Sequence, residues 1–290
     1  MNLLKAIATV SGFTMLSRLL GFIRDILIAS TLGASAIADC FFVAFRLPNL
    51  FRRLFAEGAF SAAFVPMFSA ELEKDGHLSA KEFADGAFSV LLISLVAFIG
   101  TMELAMPWVI WLLAPGFDSV EDKMTLATEL SRIAFPYLIF ISLVSLQSGV
   151  LNSLNRFAAA AAAPVLLNLT LITAMLGFAD PKETAGHALS WGVFAAGILQ
   201  FAWLDYHCRR QGLPITWRRP CLTPKIRLLG KRILPVIFGS SLYQINLLIG
   251  TILASLVSDG AVSFLYYADR VTQLPLGVVG VAVSTALLPT

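Results

Sequence analysis

Seven arginines stand inside stretches of sequence that are otherwise apolar: Arg18, Arg24, Arg46, Arg52, Arg53, Arg132 and Arg270. A guanidinium is planar, forked and permanently charged, and it grips phosphate or carboxylate through paired hydrogen bonds. At the bilayer centre such a charge costs about 2.5–3.5 kcal/mol on insertion scales. Side chains of this kind face a partner or a watery cavity, not lipid. Asp25, Asp39, Glu57 and Asp269 occupy the same stretches and are natural counter-charges, although the arginines outnumber them. A cavity walled by several guanidiniums suits a polyanionic headgroup.

Helical geometry sorts these residues. At about 100° per residue, Arg18 and Asp25 fall within about 20° of one face, with Ser11 on that face too. Asp39, Arg46 and Arg53 follow at intervals of seven and form one stripe. Arg52 and Glu57 diverge by about 140° and are not expected to pair. Arg24 lies about 120° from Arg18, so it faces another wall or reaches round a break at Gly21. Arg132 stands near the end of its stretch, where snorkelling or a structural ion pair suffices. Arg18, Arg24, Arg52 and Arg270 are the set expected to line a cavity, and Arg53 fits either role.

The elements that carry these residues are membrane helices. The chain is 58% hydrophobic and 13% charged, with a mean hydropathy of +0.81, whereas soluble domains carry about 25% charged residues. Lipid must cover what water cannot. Only helices and closed barrels satisfy their backbone in lipid, and the ten-residue alternation of a barrel is missing. Window hydropathy and turn signals predict eight spans, at 4–32, 36–66, 83–113, 125–151, 159–179, 185–206, 231–257 and 260–289. Gly12, Gly21 and Pro48 are candidate break points. Lys5 followed by Ala6–Ser17 mimics a signal peptide, with Ala34-Ser35-Ala36 as its cleavage site, but Arg18, Arg24 and Asp25 interrupt it.

Connections alternate between two sides. Twelve lysines and arginines, from Lys5 to Arg232, lie on or beside the side that receives the N-terminus, 67–82, 152–158 and 207–230. The other side has Lys123 and Lys182 and leans acidic, with Asp118, Glu121, Asp122, Asp180, Glu183 and Asp259. The positive-inside rule makes the N-terminus cytoplasmic. Trp108 and Trp111 fit an aromatic belt at the outer interface. The connection 207–230, with Pro214, Pro220, Pro224 and dense positive charge, reads as a linker whose charge suits anionic lipid headgroups.

Much chemistry is excluded. There is no G-x-x-x-x-G-K-[ST] loop, and so no ATPase in this chain, and neither H-E-x-x-H nor G-x-S-x-G occurs. His77, His187 and His207 sit near predicted loops. Cys40, Cys208 and Cys221 are odd in number and form no C-x-x-C pair, which argues against a disulfide framework or a zinc site. No enzyme activity, metal or cofactor is expected, and no nucleic-acid partner. Asn168-Leu169-Thr170 is a formal glycosylation sequon inside a span and is set aside.

A weak internal repeat organises the spans. Phe45-Arg46-Leu47-Pro48-Asn49-Leu50, running on to Val65-Pro66, parallels Asp269-Arg270-Val271-Thr272-Gln273-Leu274, running on to Leu288-Pro289. Each follows a small-residue turn, Gly33-Ala34-Ser35 or Ser258-Asp259-Gly260. Repeats of this kind mark secondary transporters, with the substrate site at the repeat interface. The expected organisation is a six-helix lobe over 1–206, a basic cytoplasmic linker over 207–230, and the first two helices of a second lobe over 231–290. The chain is therefore expected to be part of a longer protein.

Particular motifs carry a family resemblance. Ser17-Arg18-Leu19-Leu20-Gly21-Phe22-Ile23-Arg24-Asp25 is similar to the first helix of the bacterial MurJ (MviN) lipid II flippase family. The run from Phe41 through Phe45-Arg46-Leu47-Pro48-Asn49-Leu50-Phe51-Arg52-Arg53 to Phe60 resembles the family's second helix. Ala114-Pro115-Gly116-Phe117 and Tyr266-Tyr267-Ala268-Asp269-Arg270 match as well.

The resemblance implies the multidrug/oligosaccharidyl-lipid/polysaccharide exporter superfamily, with two six-helix lobes around a central cavity and two further helices. It implies a multi-pass protein of the bacterial inner membrane that flips lipid II, the undecaprenyl-diphosphate-linked peptidoglycan precursor, to the outer leaflet. The family's cavity arginines fall on Arg18, Arg24, Arg52 and Arg270, and its functional acid on Asp39, expected near the outer gate. Asp25, Glu57 and Asp269 are expected as gating or counter-charges. Gln273 stands where some relatives carry an acid. Expected partners are lipid II, anionic membrane lipids and cell-wall synthesis proteins. Coupling to the membrane potential or an ion gradient would need no nucleotide. The alternatives are another exporter of the superfamily, which would want a more apolar or more acidic cavity, and a non-transporting scaffold for cell-wall assembly.

Overall fold

The computed structural model describes residues 3–53, 60–120, 122–178 and 184–273, and all regular structure among them is helical. Helix α1 spans Leu3–Leu32, α2 Ala36–Phe51 and α3 Phe60–Leu113. A 3-10 turn at Pro115–Ser119 leads into α4, Lys123–Ala134, and α5, Tyr137–Ser153. Helices α6, Phe157–Phe178, and α7, Ala185–Arg210, follow. An extended segment leads to α8, Pro224–Ser255, and α9 occupies 261–273. The chain is a multi-pass membrane protein: Phe60–Leu113, Lys123–Ser153, Phe157–Phe178 and Ala185–Arg210 are each long and apolar enough to cross a bilayer.

Several sequence expectations change. The connection 67–82 is not a loop. Helix runs on both sides of Gly76, whose φ of 78° reverses the chain. Phe64 and Phe83, on opposite sides of that turn, stack with ring centroids 5.6 Å apart. The two arms of α3 thus form a hairpin. Hydropathy registers polarity, not conformation, and Glu, Lys, Ala and Leu here are good helix formers. For the same reason span two does not end at Pro66, which lies within the first arm of α3. Gly12 and Gly21 do not break α1, since a backbone in lipid must satisfy its own hydrogen bonds. Pro48 has a partial effect, because α2 loosens into π geometry at 52–53. The span expected at 125–151 is α4 and α5 in tandem, interrupted at Phe135-Pro136. Arg210 still belongs to α7, and α8 already begins at Pro224. Glu57, residues 180–183 and the repeat's end at Leu288-Pro289 lie outside the described residues.

Small residues let the helices approach. A Cβ on Gly197 of α7 would come within 2.8 Å of the Tyr137 ring, and one on Gly149 of α5 within 2.9 Å of Phe64. Helix α1 lies on α6, α6 on α7, α7 on α5, and α2 on α4, while α8 leans on α3. Phe41, Phe42, Phe64, Phe68, Phe117, Phe135 and Tyr137 fill the interior. Leu104, Leu176, Phe178 and Trp191 are exposed, as lipid-facing residues should be. Helices α1, α2, α6, α8 and α9 enclose the space that holds Arg24 and Asp25.

Candidate functional site

A cavity of about 680 Å³ opens between α1, α2, α6, α8 and α9. Arg18 and Arg24 reach it from α1, Arg46, Arg52 and Arg53 from α2, and Arg270 from α9. Two carboxylates, Asp25 and Asp269, share its wall. Six guanidiniums against two carboxylates leave the cavity strongly positive.

The centre of the wall is one carboxylate held by two arginines. Asp25 Oδ1 accepts from Arg24 Nε at 2.9 Å and Nη2 at 2.6 Å, and Asp25 Oδ2 accepts from Arg270 Nε at 2.6 Å. Tyr266 donates its hydroxyl to Asp25 at 3.3 Å and stacks on Phe42 at 3.9 Å. Asn168 orients the group from α6. Its Oδ1 accepts from Arg24 Nη1 at 3.0 Å, and its Nδ2 donates to the Ser17 carbonyl at 2.9 Å. Arg24 therefore reaches the shared wall without a helix break, and Asp25 bridges α1 to α9.

Arg18, Arg46, Arg52 and Arg53 also line the cavity. Arg18 is exposed on the wall. Arg52 Nε donates to Asn49 Oδ1 at 3.1 Å, and Arg46 Nη2 to the Leu247 carbonyl of α8 at 3.1 Å. Asp269 accepts from Gln273 at 2.9 Å, so the amide at that position serves as a donor to the neighbouring acid. Arg132 is exposed and is not among the residues of this wall.

Asp39 lies elsewhere. The stripe drawn through Asp39, Arg46 and Arg53 puts the arginines on the cavity, but Asp39 is fully buried at the far end of α2. Thirteen residues separate Asp39 from Arg52, about 20 Å along a helix. Its carboxylate caps the start of α9, accepting from Gly260 N at 2.8 Å, Ser263 N at 2.9 Å and Ser263 Oγ at 2.6 Å. Helix N-termini favour anions because their N–H groups lack internal partners. Lys123 Nζ, also buried, joins Asp39 Oδ2 at 3.0 Å to Asp259 Oδ1 at 2.7 Å and sits 4.2 Å from the centre of the Phe117 ring. None of these residues is among those that line the cavity.

Asn168, Tyr266 and Lys123 carry no site role in the sequence reading, and Arg46 appears there only as part of a stripe. A polar amide such as Asn168 inside an apolar span is itself a signal, whereas Lys123 reads from sequence only as an outer-side charge.

The family model for "Lipid II flippase MurJ" matches residues 28–290. A "Probable lipid II flippase MurJ" from Rhizobium meliloti is 49% identical over all of this chain and 55% of its own length. The "Lipid II flippase MurJ" of Burkholderia cenocepacia is 42% identical over all of this chain and 57% of its own length. The chain thus spans little more than half of these relatives. A solved lipid II flippase MurJ in an inward closed conformation superposes with a TM-score of 0.79 at 27% identity, covering 96% of this chain and 57% of that one. An inward-facing multidrug resistance transporter of the MATE family, MOP superfamily, gives 0.70 at 19% identity, over 93% and 61% of the two chains, which is a likeness of fold alone.

Proposed function

The chain belongs to the lipid II flippase MurJ family, and from that premise we propose that the complete protein carries lipid II from the cytoplasmic to the outer leaflet of the inner membrane. The observation that supports this reading most is the convergence of six arginines on one cavity with two carboxylates. Arg18, Arg52 and Arg53 would take the diphosphate or the peptide carboxylates by bidentate hydrogen bonds. Arg24 and Arg270, held by Asp25, would set the cavity's shape and release donors when the anion competes for them.

The N-terminus lies in the cytoplasm in this scheme, as the positive-inside bias requires. The contacts of Asp39, Lys123, Asp259 and Ser263 then form an outer seal. Rocking of the two lobes breaks that seal and exposes the cavity outward. An inside-negative potential favours outward movement of an anionic headgroup by about 2.3 kcal/mol per charge per 100 mV.

The test is complementation of a depletion strain by full-length variants, with membrane abundance checked for each. Alanine at Arg18, Arg24, Arg52 or Arg270 should abolish growth, and lysine should impair it at most of these sites. Lysine keeps the charge but loses the fork, and a lost charge-assisted bond costs about 1.5–3 kcal/mol. Normal growth with alanine at two or more of the four would remove the anion-binding cavity. Accessibility of lipid II headgroups in depleted cells reads the transport itself.

A further inference from the structure

The extended segment 213–223 lies against the lobe as an ordered strap. Asp85 of α3, only 6% exposed, accepts from Thr216 N at 2.8 Å and from Thr216 Oγ1 at 3.1 Å. Ser89, one turn further along, accepts from Arg218 N at 2.9 Å. Trp217, between these two anchors, is 54% exposed. The strap ends at Thr223, whose hydroxyl caps α8 by accepting from Ile226 N at 3.3 Å. The first turns of α8 then bury Ile226 and Leu229 toward the lobe, and Arg227, Leu228, Lys231 and Arg232 remain exposed.

The depth of the strap follows from α3. Ser89 and Trp108 are nineteen residues apart on the second arm of that helix, about 28 Å at 1.5 Å per residue. That is close to the ~30 Å hydrocarbon thickness of a bilayer. With exposed Trp108 at one boundary, Ser89 and its neighbour Trp217 stand at the other. The local charge is positive there. Arg218 and Lys225 are paired with Glu82 and Glu71. Arg219, Arg227, Lys231 and Arg232 are exposed and form no ion pair among the described residues.

We infer that the strap and the first turns of α8 form a docking surface for the anionic phospholipid headgroups of the cytoplasmic leaflet. An indole seats well at a membrane interface, and clustered basic side chains at headgroup level attract anionic lipid. The two backbone anchors hold the surface in shape before lipid arrives. Because α8 leads into the second lobe, bound lipid would steady the joint between the lobes. This surface is separate from the arginine cavity and does not depend on what the cavity carries.

Cys221 is exposed in the strap, whereas Cys40 and Cys208 are buried, so it is a natural place for a probe. Full-length protein with Cys221 as its only cysteine is labelled with an environment-sensitive fluorophore and reconstituted into phosphatidylcholine vesicles. Brominated phosphatidylglycerol or brominated phosphatidylcholine is added at equal mole fraction, without lipid II. Quenching should report roughly a fivefold or greater local enrichment of the anionic lipid at low salt, shrinking as salt is raised. The combined variant Arg219→Gln, Arg227→Gln, Lys231→Gln and Arg232→Gln should bring the two lipids to parity. If that variant fails to insert, the salt titration of the unaltered strap carries the decision. Equal quenching by both lipids at low salt overturns the inference, as does quenching that inorganic phosphate abolishes without any headgroup preference. Protection of the label from both lipids would assign the face to a protein partner and overturn it as well.

Discussion

If the contacts of Asp39 form the proposed outer seal, removing the Ser263 hydroxyl should open it and leave the cavity untouched. In Ser263→Ala the bond from Ser263 Oγ to Asp39, 2.6 Å long and fully buried, is lost. Asp39 keeps Gly260 N, Ser263 N and Lys123 Nζ as donors, so its charge is not stranded. The loss is therefore one charge-assisted hydrogen bond, about 1.5–3 kcal/mol, and falls short of the 3–5 kcal/mol of an orphaned buried ion. Once the lobes part, water satisfies both groups, so the loss applies to the closed state alone. The outer-open population should rise about 10- to 100-fold. The assay is labelling from outside by an impermeant thiol reagent at a single cysteine replacing Leu248 on the cavity wall, in a full-length protein without its other cysteines. While openings are rare, the labelling rate is proportional to the open fraction, so it should rise by the same factor until saturation. Asp39→Asn should raise the rate further, because it weakens three bonds to the start of α9 and leaves Lys123 with Asp259 as its only carboxylate partner among the described residues. Adding Ser263→Ala to Asp39→Asn should cost less than it does alone, since the partner charge has gone. An unchanged rate in Ser263→Ala, with normal membrane abundance, would falsify the seal.

Two further outcomes follow from the same geometry. Gly260 has φ +82°, and a Cβ there would fall 2.5 Å from the Ala34 carbonyl oxygen, so Gly260→Ala should push the start of α9 away from the turn between α1 and α2. It should speed the same labelling reaction, and a wild-type rate would count against a seal at the start of α9. Outside the membrane, the Lys225 hydrogen bond lowers the pKa of Glu71, with a smaller contribution from Ser79. A depressed carboxylate gives stability that is present above its unfolded pKa and lost as pH falls through the folded value. Thermal melting should therefore drop below the ordinary carboxylate range, near pH 4.3, and Glu71→Gln should flatten part of that drop. An identical acid limb in the variant would show that the contact between Glu71 and Lys225 does not hold the start of α8.

The fold was legible wherever a span meets lipid. Helices α6 and α7 stand within a few residues of the hydropathic expectation because lipid imposes both their length and their composition. Legibility failed where the chain leaves the bilayer while staying helical, as in both arms of α3 around Gly76. Polarity there reports solvent and says nothing of conformation. It failed again at Phe135-Pro136, where an apolar stretch long enough for one helix is divided by a proline that hydropathy does not penalise.

The cavity was legible for a different reason. A guanidinium inside an apolar span is costly enough that its presence alone implies a non-lipid neighbour, so Arg18, Arg24, Arg52 and Arg270 could be singled out one at a time, and all four line the cavity. The identity of each neighbour could not, because periodicity relates residues on one helix and is silent between helices. Asp25 shares a face with Arg18 in α1, yet its bonds go to Arg24 beside it and to Arg270 on α9. Asp39 shares a stripe with Arg46, yet its partners are an N-terminal turn of α9 and a lysine at the start of α4. Apart from the bond between Arg24 and Asp25, these contacts join residues more than 80 apart in sequence. The contacts to α9 are also the ones that would break and reform if the two parts of the chain moved against each other, so the part of the site hidden from sequence reading is the part that would gate it.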